Sequence, residues 1–263
     1  MSAPTDDRAT SWTDLLERLY EGSWNEGLGR HRGSFAYRGM ARAANDLSSS
    51  LARLAGEQVA EREVHLLRNF RKYAPAASTA GDVWSWLALA QHHGLPTRLL
   101  DWTYSPLVAL HFATENPAGY GQDGIVWRVD FARTNQLLPR KLREALDGEG
   151  SFVFTAELLN SVAGSLEAFD HLAREPFVAF FEPPSLDERI VNQSALFSLT
   201  SSATLDVRDW LQRVEGACRQ VVIPAELKWE VRDKLDQANV TERVLYGGLD
   251  GLSRWLARYY MER

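Results

Sequence analysis

The chain has 263 residues, with 29 Lys and Arg against 35 Asp and Glu and a formal net charge of -6 at pH 7. That balance argues against gripping nucleic acid mainly through counterion release, which needs a basic face. The lone Cys218 can form neither an internal disulfide nor a cysteine-built zinc site, which suits a reducing compartment. Residues 1–10 are polar and lack the apolar core of a signal peptide. No apolar run reaches the roughly 18 residues that cross a bilayer, so the expectation is a cytoplasmic protein with no membrane partner.

In chain order, residues 1–10 read as a disordered lead. Ser11 or Thr13 then caps a helix with Leu15, Leu16 and Leu19 on one face, ending near Gly22. A glycine-containing loop over residues 25–33 precedes a β-prone stretch, residues 34–39, that stops at Gly39. Residues 41–73 have helical spacing with a bend near Gly56, and Asp82 caps a Trp-rich helix over 83–91 closed by Gly94 and Pro96. Residues 97–103 are β-compatible, Ser105-Pro106 starts a helix running to Thr114, and residues 125–130 alternate as a half-buried strand does. Residues 134–173 are helical with interruptions. Strands follow at 177–181, within 189–199, at 220–223 and at 244–246, with helices over 225–237 and 249–260. Strands scattered among helices without regular βαβ spacing indicate an α+β fold. No linker divides the chain, so residues 11–263 form one domain with 11–33 at its periphery.

The densest polar cluster is Gln91-His92-His93-Gly94, then Thr97-Arg98, then Asp101-Trp102-Thr103. A tight turn between helix and strand projects side chains toward a cleft. The alternative is a buried network in which Asp101 holds Arg98 or Thr103. Adjacent histidines stand about 100° apart on a helix, so His92 and His93 do not share one metal. Arg38 ends a strand where a planar guanidinium can clamp a phosphate or carboxylate, and Gly39 lets a backbone or a ligand come close. The strip Arg68, Arg71 and Lys72 reads as a solvated helix face. No Gly-x-Ser-x-Gly elbow supports a serine hydrolase.

Phe35-Ala36-Tyr37-Arg38-Gly39, the run from Gln91 to Thr103, Ser105-Pro106 with Ala109 and Phe112-Ala113, and Arg189-Ile190-Val191-Asn192-Gln193 with Phe197 together resemble the FRG domain, named for its Phe/Tyr-Arg-Gly motif. A more distant resemblance is to ADP-ribosyltransferases of the Arg-Ser-Glu type. It implies a core of twisted, mostly antiparallel sheets surrounded by helices, NAD as substrate, and no metal. It also implies a protein or nucleic-acid acceptor, a role as a bacterial toxin or antiphage defence effector, and a cognate inhibitor protein as a further partner. Under that resemblance Arg38 holds the NAD phosphate or ribose, and Tyr37 or Trp102 stacks on nicotinamide or adenine. Gly39, Gln91, His92, His93, Thr97, Arg98, Thr103 and Phe197 shape the pocket. Gln193 stands where such enzymes place a glutamate. It can hydrogen-bond a ribose hydroxyl but cannot neutralise an oxocarbenium-like ribose, which leaves Asp101 or Glu188 to do so. Two other classes remain open: a noncatalytic nucleotide sensor with a degenerate pocket, and a metal-dependent hydrolase using His92 or His93.

Overall fold

A computed structural model describes residues 7–44, 46–55, 58–75, 81–185 and 187–262. In chain order the elements are α1 (Trp12–Tyr20), β1 (Trp24–Asn25), β2 (Arg30–His31), β3 (Phe35–Met40), α2 (Ser50–Ala55), α3 (Val59–Tyr73), α4 (Val83–His92), β4 (Leu99–Thr103) and α5 (Pro106–Thr114). They continue with β5 (Gly124–Asp130), α6 (Phe131–Thr134), α7 (Arg140–Glu149), α8 (Ala156–Val162), α9 (Leu166–Asp170), β6 (Val178–Phe181), α10 (Glu188–Asn192) and β7 (Ala195–Thr200). The last are α11 (Val207–Leu211), β8 (Cys218–Ile223), α12 (Lys228–Gln237), α13 (Glu242–Tyr246) and α14 (Gly248–Tyr259). Six strands form one antiparallel sheet in the order β6-β7-β4-β3-β5-β8, which is the α+β arrangement expected.

Strand alternation sorts side chains onto two faces. On one face, Leu100 and Trp102 of β4 join Trp127, Phe180 and Trp210 in a single cluster. The other face carries two clusters side by side. Leu99, Phe181 and Leu199 pack with Trp84, Leu87 and Phe169 under α4 and its neighbours. Tyr37, Val126 and Val221 pack with α1, α5 and α12. Asp101 lies on this second face, in the seam between its two clusters.

The strand join at that seam is slight. β3 pairs with β5 all the way from Phe35↔Asp130 to Met40↔Ile125, whereas its one register pair with β4 is Tyr37↔Thr103. Past that pair the strands part.

Gly39 is required by packing. A Cβ there would stand 1.7 Å from the Ala109 carbonyl oxygen of α5. The close approach expected of this glycine is therefore made by helix backbone rather than by a ligand.

Three expectations need correction and a fourth needs narrower bounds. Of the disordered lead, residues 1–6 lie outside the described residues, but Arg8 bridges to Val222 and Ala9 is buried, its amide donating to the Val222 carbonyl at 3.0 Å. The free edge of β8 gives this segment backbone partners. Residues 41–44 and 46–49 are not helical, and the bend at Gly56 lies outside the described residues. Residues 244–246 are not a strand but the end of α13, because the Thr241 hydroxyl caps the Val244 amide. The strand expected within 189–199 is present but starts only at Ala195, so Gln193 precedes it. Asp187 accepts from the Ile190 amide and starts α10, and Ser194 at φ 47° turns the chain before β7 begins at Ala195.

Candidate functional site

The seam opens into a cleft of about 1120 Å³. Its walls are the end of β3, the end of α4 and its turn, the exposed side of β4, the end of α5, and α10. Gly94, at φ 81°, ends α4 in the left-handed region that suits glycine, and the Leu95 amide returns to the Ala90 carbonyl at 2.9 Å. This turn delivers Gln91 and Thr97 to the start of β4.

A chain of hydrogen bonds then sets the polar floor. The Thr97 hydroxyl donates to Gln91 Oε1 at 2.5 Å while accepting from the Leu99 amide at 3.1 Å. With its oxygen so engaged, Gln91 presents its amide nitrogen to Asp101 Oδ2 at 2.9 Å. Arg38 Nη1 donates to the Asp101 main-chain carbonyl at 2.5 Å and stands 3.9 Å from its carboxylate. The guanidinium thus bridges β3 and β4 where they part.

Arg38 is held but not satisfied. Its Nε is buried and has no hydrogen-bond partner, and the same is true of Arg189 Nε on α10. An orphaned guanidinium N–H is costly unless something accepts from it. Burial pushes the Arg38 pKa below its usual value, with Asp101 opposing the shift, and an arginine remains charged under that pressure. Arg53 is the third guanidinium in the cleft and donates to the Ser48 carbonyl at 2.5 Å.

Three carboxylates face the same space: Asp46, Asp101 and Glu115. The Ser48 hydroxyl holds the Asp46 carboxyl below its usual range. Glu115 caps α5, accepts from the Tyr246 hydroxyl at 2.6 Å and lies 3.6 Å from His111 Nε2. Burial alone would raise its pKa; the contacts with His111 and Tyr246 outweigh that and lower it. The cleft is therefore no simple anion trap, because it pairs fixed positive groups with fixed negative ones.

Most of the expected site residues reach this cleft, with different parts exposed. Arg38, Gly39, Gln91, His92, His93, Asp101, Thr103, Gln193 and Phe197 line it. The two histidines diverge: His92 Nε2 meets Asp187 at 2.5 Å, while His93 is exposed 6.5 Å from the Phe70 ring. Thr103 is committed, its hydroxyl donating to the Gln193 carbonyl at 2.7 Å. Among the described residues no group of three or more His, Cys, Asp or Glu is placed to hold a metal ion.

Tyr37 and Trp102 border the cleft but cannot stack on a ligand there. Each side chain is buried, with the Tyr37 hydroxyl donating to the Leu19 carbonyl at 3.0 Å and Trp102 Nε1 to Ser198 at 2.9 Å. Alternation along β3 and β4 turns both rings into the core. Arg98 is likewise not a ligand residue. It is 2% exposed, bonds Glu63 through Nε and Nη2 and reaches Asp170 at 2.5 Å and the Thr200 carbonyl at 3.1 Å. Thr97 acts through Gln91 and does not itself line the cleft.

Glu188 is exposed at the start of α10, away from the cleft lining, because the turn of helix built by the Asp187 cap aims it outward. Gln193 is not on a strand. It is the C-cap of α10, and its side-chain amide donates to the Leu245 carbonyl at 3.1 Å. Sequence reasoning missed Glu115 and singled out Arg189 only as part of a motif. The i,i+4 spacing of His111 and Glu115 on a helix was a readable signal. The contribution of Tyr246, which lies far along the chain, was not.

Fold and site together define an α+β protein with a cleft of mixed charge at a parting of its central strands. Residues 33–121 match the family model of the FRG domain, a stretch from just before β3 to beyond α5 that holds Arg38-Gly39 and the whole turn from Gln91 to Thr103. The resemblance drawn from those motifs therefore stands over that stretch; α10 and Gln193 lie outside it. No curated protein and no solved structure matches the chain.

Proposed function

We propose that the cleft binds a phosphate-bearing nucleotide, NAD foremost, and that the protein is an ADP-ribosyltransferase-like enzyme that moves ADP-ribose to a macromolecule or cleaves NAD. The observation that carries this reading is Arg38: a guanidinium anchored on one side by the Asp101 carbonyl, with a buried unpartnered Nε. A phosphate oxygen is the kind of acceptor that completes such a group. The cleft volume of about 1120 Å³ exceeds the roughly 300–1,000 Å³ common for drug-sized ligands, which leaves room for a dinucleotide. A carboxylate beside the bound ribose would stabilise the developing cation, and Asp101, steered by Gln91, is the candidate from β4. Such an activity suits a toxin or defence effector.

A second reading is favoured by two placements. Gln193 lines the cleft with its amide nitrogen engaged by the Leu245 carbonyl, and Glu188 stands outside the cleft, so of two residues expected to act on the ribose one is tied and the other absent. A protein of that kind binds a nucleotide and signals its presence without consuming it.

Incubating the purified chain with NAD, alone and with protein and nucleic-acid acceptors, and measuring nicotinamide separates these readings. Turnover predicts release that falls at least roughly tenfold in Arg38→Ala. No release under any of these conditions counts against the enzyme. Thermal stabilisation by intact NAD, about 2.7 kcal/mol at a hundredfold excess over Kd, then supports the sensor.

A further inference from the structure

At the end of α5, which also borders the cleft, Glu115 and its neighbours form a small electrostatic device. The Glu115 carboxylate sits at the helix C-cap, where the helix carbonyls already favour positive charge. Phe112, one turn earlier, lines the same wall. Behind Glu115, buried Arg232 Nη1 contacts His111 Nδ1 at 2.8 Å. A guanidinium can only donate, so Nδ1 is the acceptor and the imidazole carries its proton on Nε2. That N–H faces Glu115 Oε2 at 3.6 Å, and the Tyr246 hydroxyl donates to the same oxygen at 2.6 Å. Only the Tyr246 hydroxyl donates a hydrogen bond to Glu115 Oε2 and orients the carboxylate; His111 Nε2 is buried without a hydrogen-bond partner and lies beyond bonding distance, yet both neighbours favour the charged form. The guanidiniums of Arg189 and Arg254 lie over the Tyr246 ring, at 5.1 and 4.7 Å, and hold that ring in place.

None of these groups neutralises Glu115 by direct ion pairing with a lysine or arginine among the described residues. A structured, partly exposed carboxylate next to an aromatic ring is a receiver for a cation, and most of all for a flat, delocalised one. The same cleft offers the unpartnered Nε of Arg38 for an anion.

Resting on the nucleotide reading above, we infer that Glu115 is the cation-recognising pole of the cleft. The ligand is then a nucleotide with a positively charged ring at one end and phosphate at the other. For a nicotinamide dinucleotide this means the oxidised form, whose ring nitrogen is quaternary, in preference to the reduced form, whose ring is neutral.

Calorimetric titration of the full chain with NAD, NADH and ADP-ribose tests this. ADP-ribose reports the phosphate end alone; the NAD to NADH ratio reports the ring. The expected result is wild-type binding of NAD roughly tenfold tighter than NADH, with that preference abolished in Glu115→Gln while ADP-ribose affinity is retained. The glutamine oxygen can still accept from Tyr246, so the change removes charge with little change of shape. Equal wild-type affinity for NAD and NADH overturns the inference and leaves the nucleotide reading standing, as does a preference that persists in Glu115→Gln or is removed by Asp101→Asn instead. Failure of wild-type protein to bind any of the three ligands refutes both. Should Glu115→Gln not fold, Glu115→Ser removes the same charge with a smaller side chain, and a preference that persists in that variant overturns the assignment.

Discussion

Arg38 and Arg98 each stand beside a carboxylate contributed by another element, and they do opposite work. Arg98 ties three elements together: Glu63 of α3 and Asp170 of α9 converge on it, with the Thr200 carbonyl of β7 completing the set. Arg98 and Glu63 are each 2% exposed. Arg38 is 22% exposed at its side chain, and the Asp101 side chain beside it is 62% exposed. A satisfied, dry pair holds a fold; an arginine with an unmet N–H at the edge of a cleft is poised for something else. Residue type does not distinguish them. Completion of the hydrogen bonds does.

The sharpest way to break this contrast is to remove each guanidinium in turn. Arg98→Met leaves the Glu63 charge buried without its partner, and the expected loss is about 3–5 kcal/mol, read as a lower urea midpoint with an unchanged slope. Arg38→Ala removes one hydrogen bond and one orphaned donor together, so stability should stay within about 1 kcal/mol of wild type while nucleotide binding is lost. If Arg38→Ala proves as destabilising as Arg98→Met, Arg38 is a second structural clasp and the proposed ligand site fails.

The smallest effect concerns the rim. Burial lowers the His92 pKa, with Asp187 opposing the shift. A group whose folded value is depressed is protonated more readily in the unfolded chain. Its contribution is complete above the unfolded value, about 6.5, and declines as pH falls through the interval down to the folded value. Melting temperature should therefore drop between about pH 7 and pH 5 by a component that His92→Gln removes. An identical pH profile in the variant would show that His92 stays uncoupled from folding.

Local chemistry was legible in the sequence. The Asp82 and Ser105 caps, the Gly94 turn, the strand after it and the α+β class all follow from rules acting over a few residues. The cleft was partly legible for the same reason, since Arg38 and the run from Gln91 to Asp101 sit at the ends of short elements whose tips face outward. Alternation alone could have turned Trp102 inward once Asp101 was placed outward. The strand expected at 244–246 failed because a threonine cap outweighed β-branched propensity, and the strand expected within 189–199 begins only at Ala195 because an aspartate cap starts a helix before it.

What the chain determined by itself is which side chains are chemically able to meet a ligand and where its helices and turns begin, because capping, turn geometry and hydrophobic period are nearest-neighbour effects. Which of those side chains are already satisfied was decided only by the tertiary structure. The partners of Arg98, Gln193 and Glu115 lie tens of residues or more away, and a hydrogen bond depends on separation in space, which folding alone supplies.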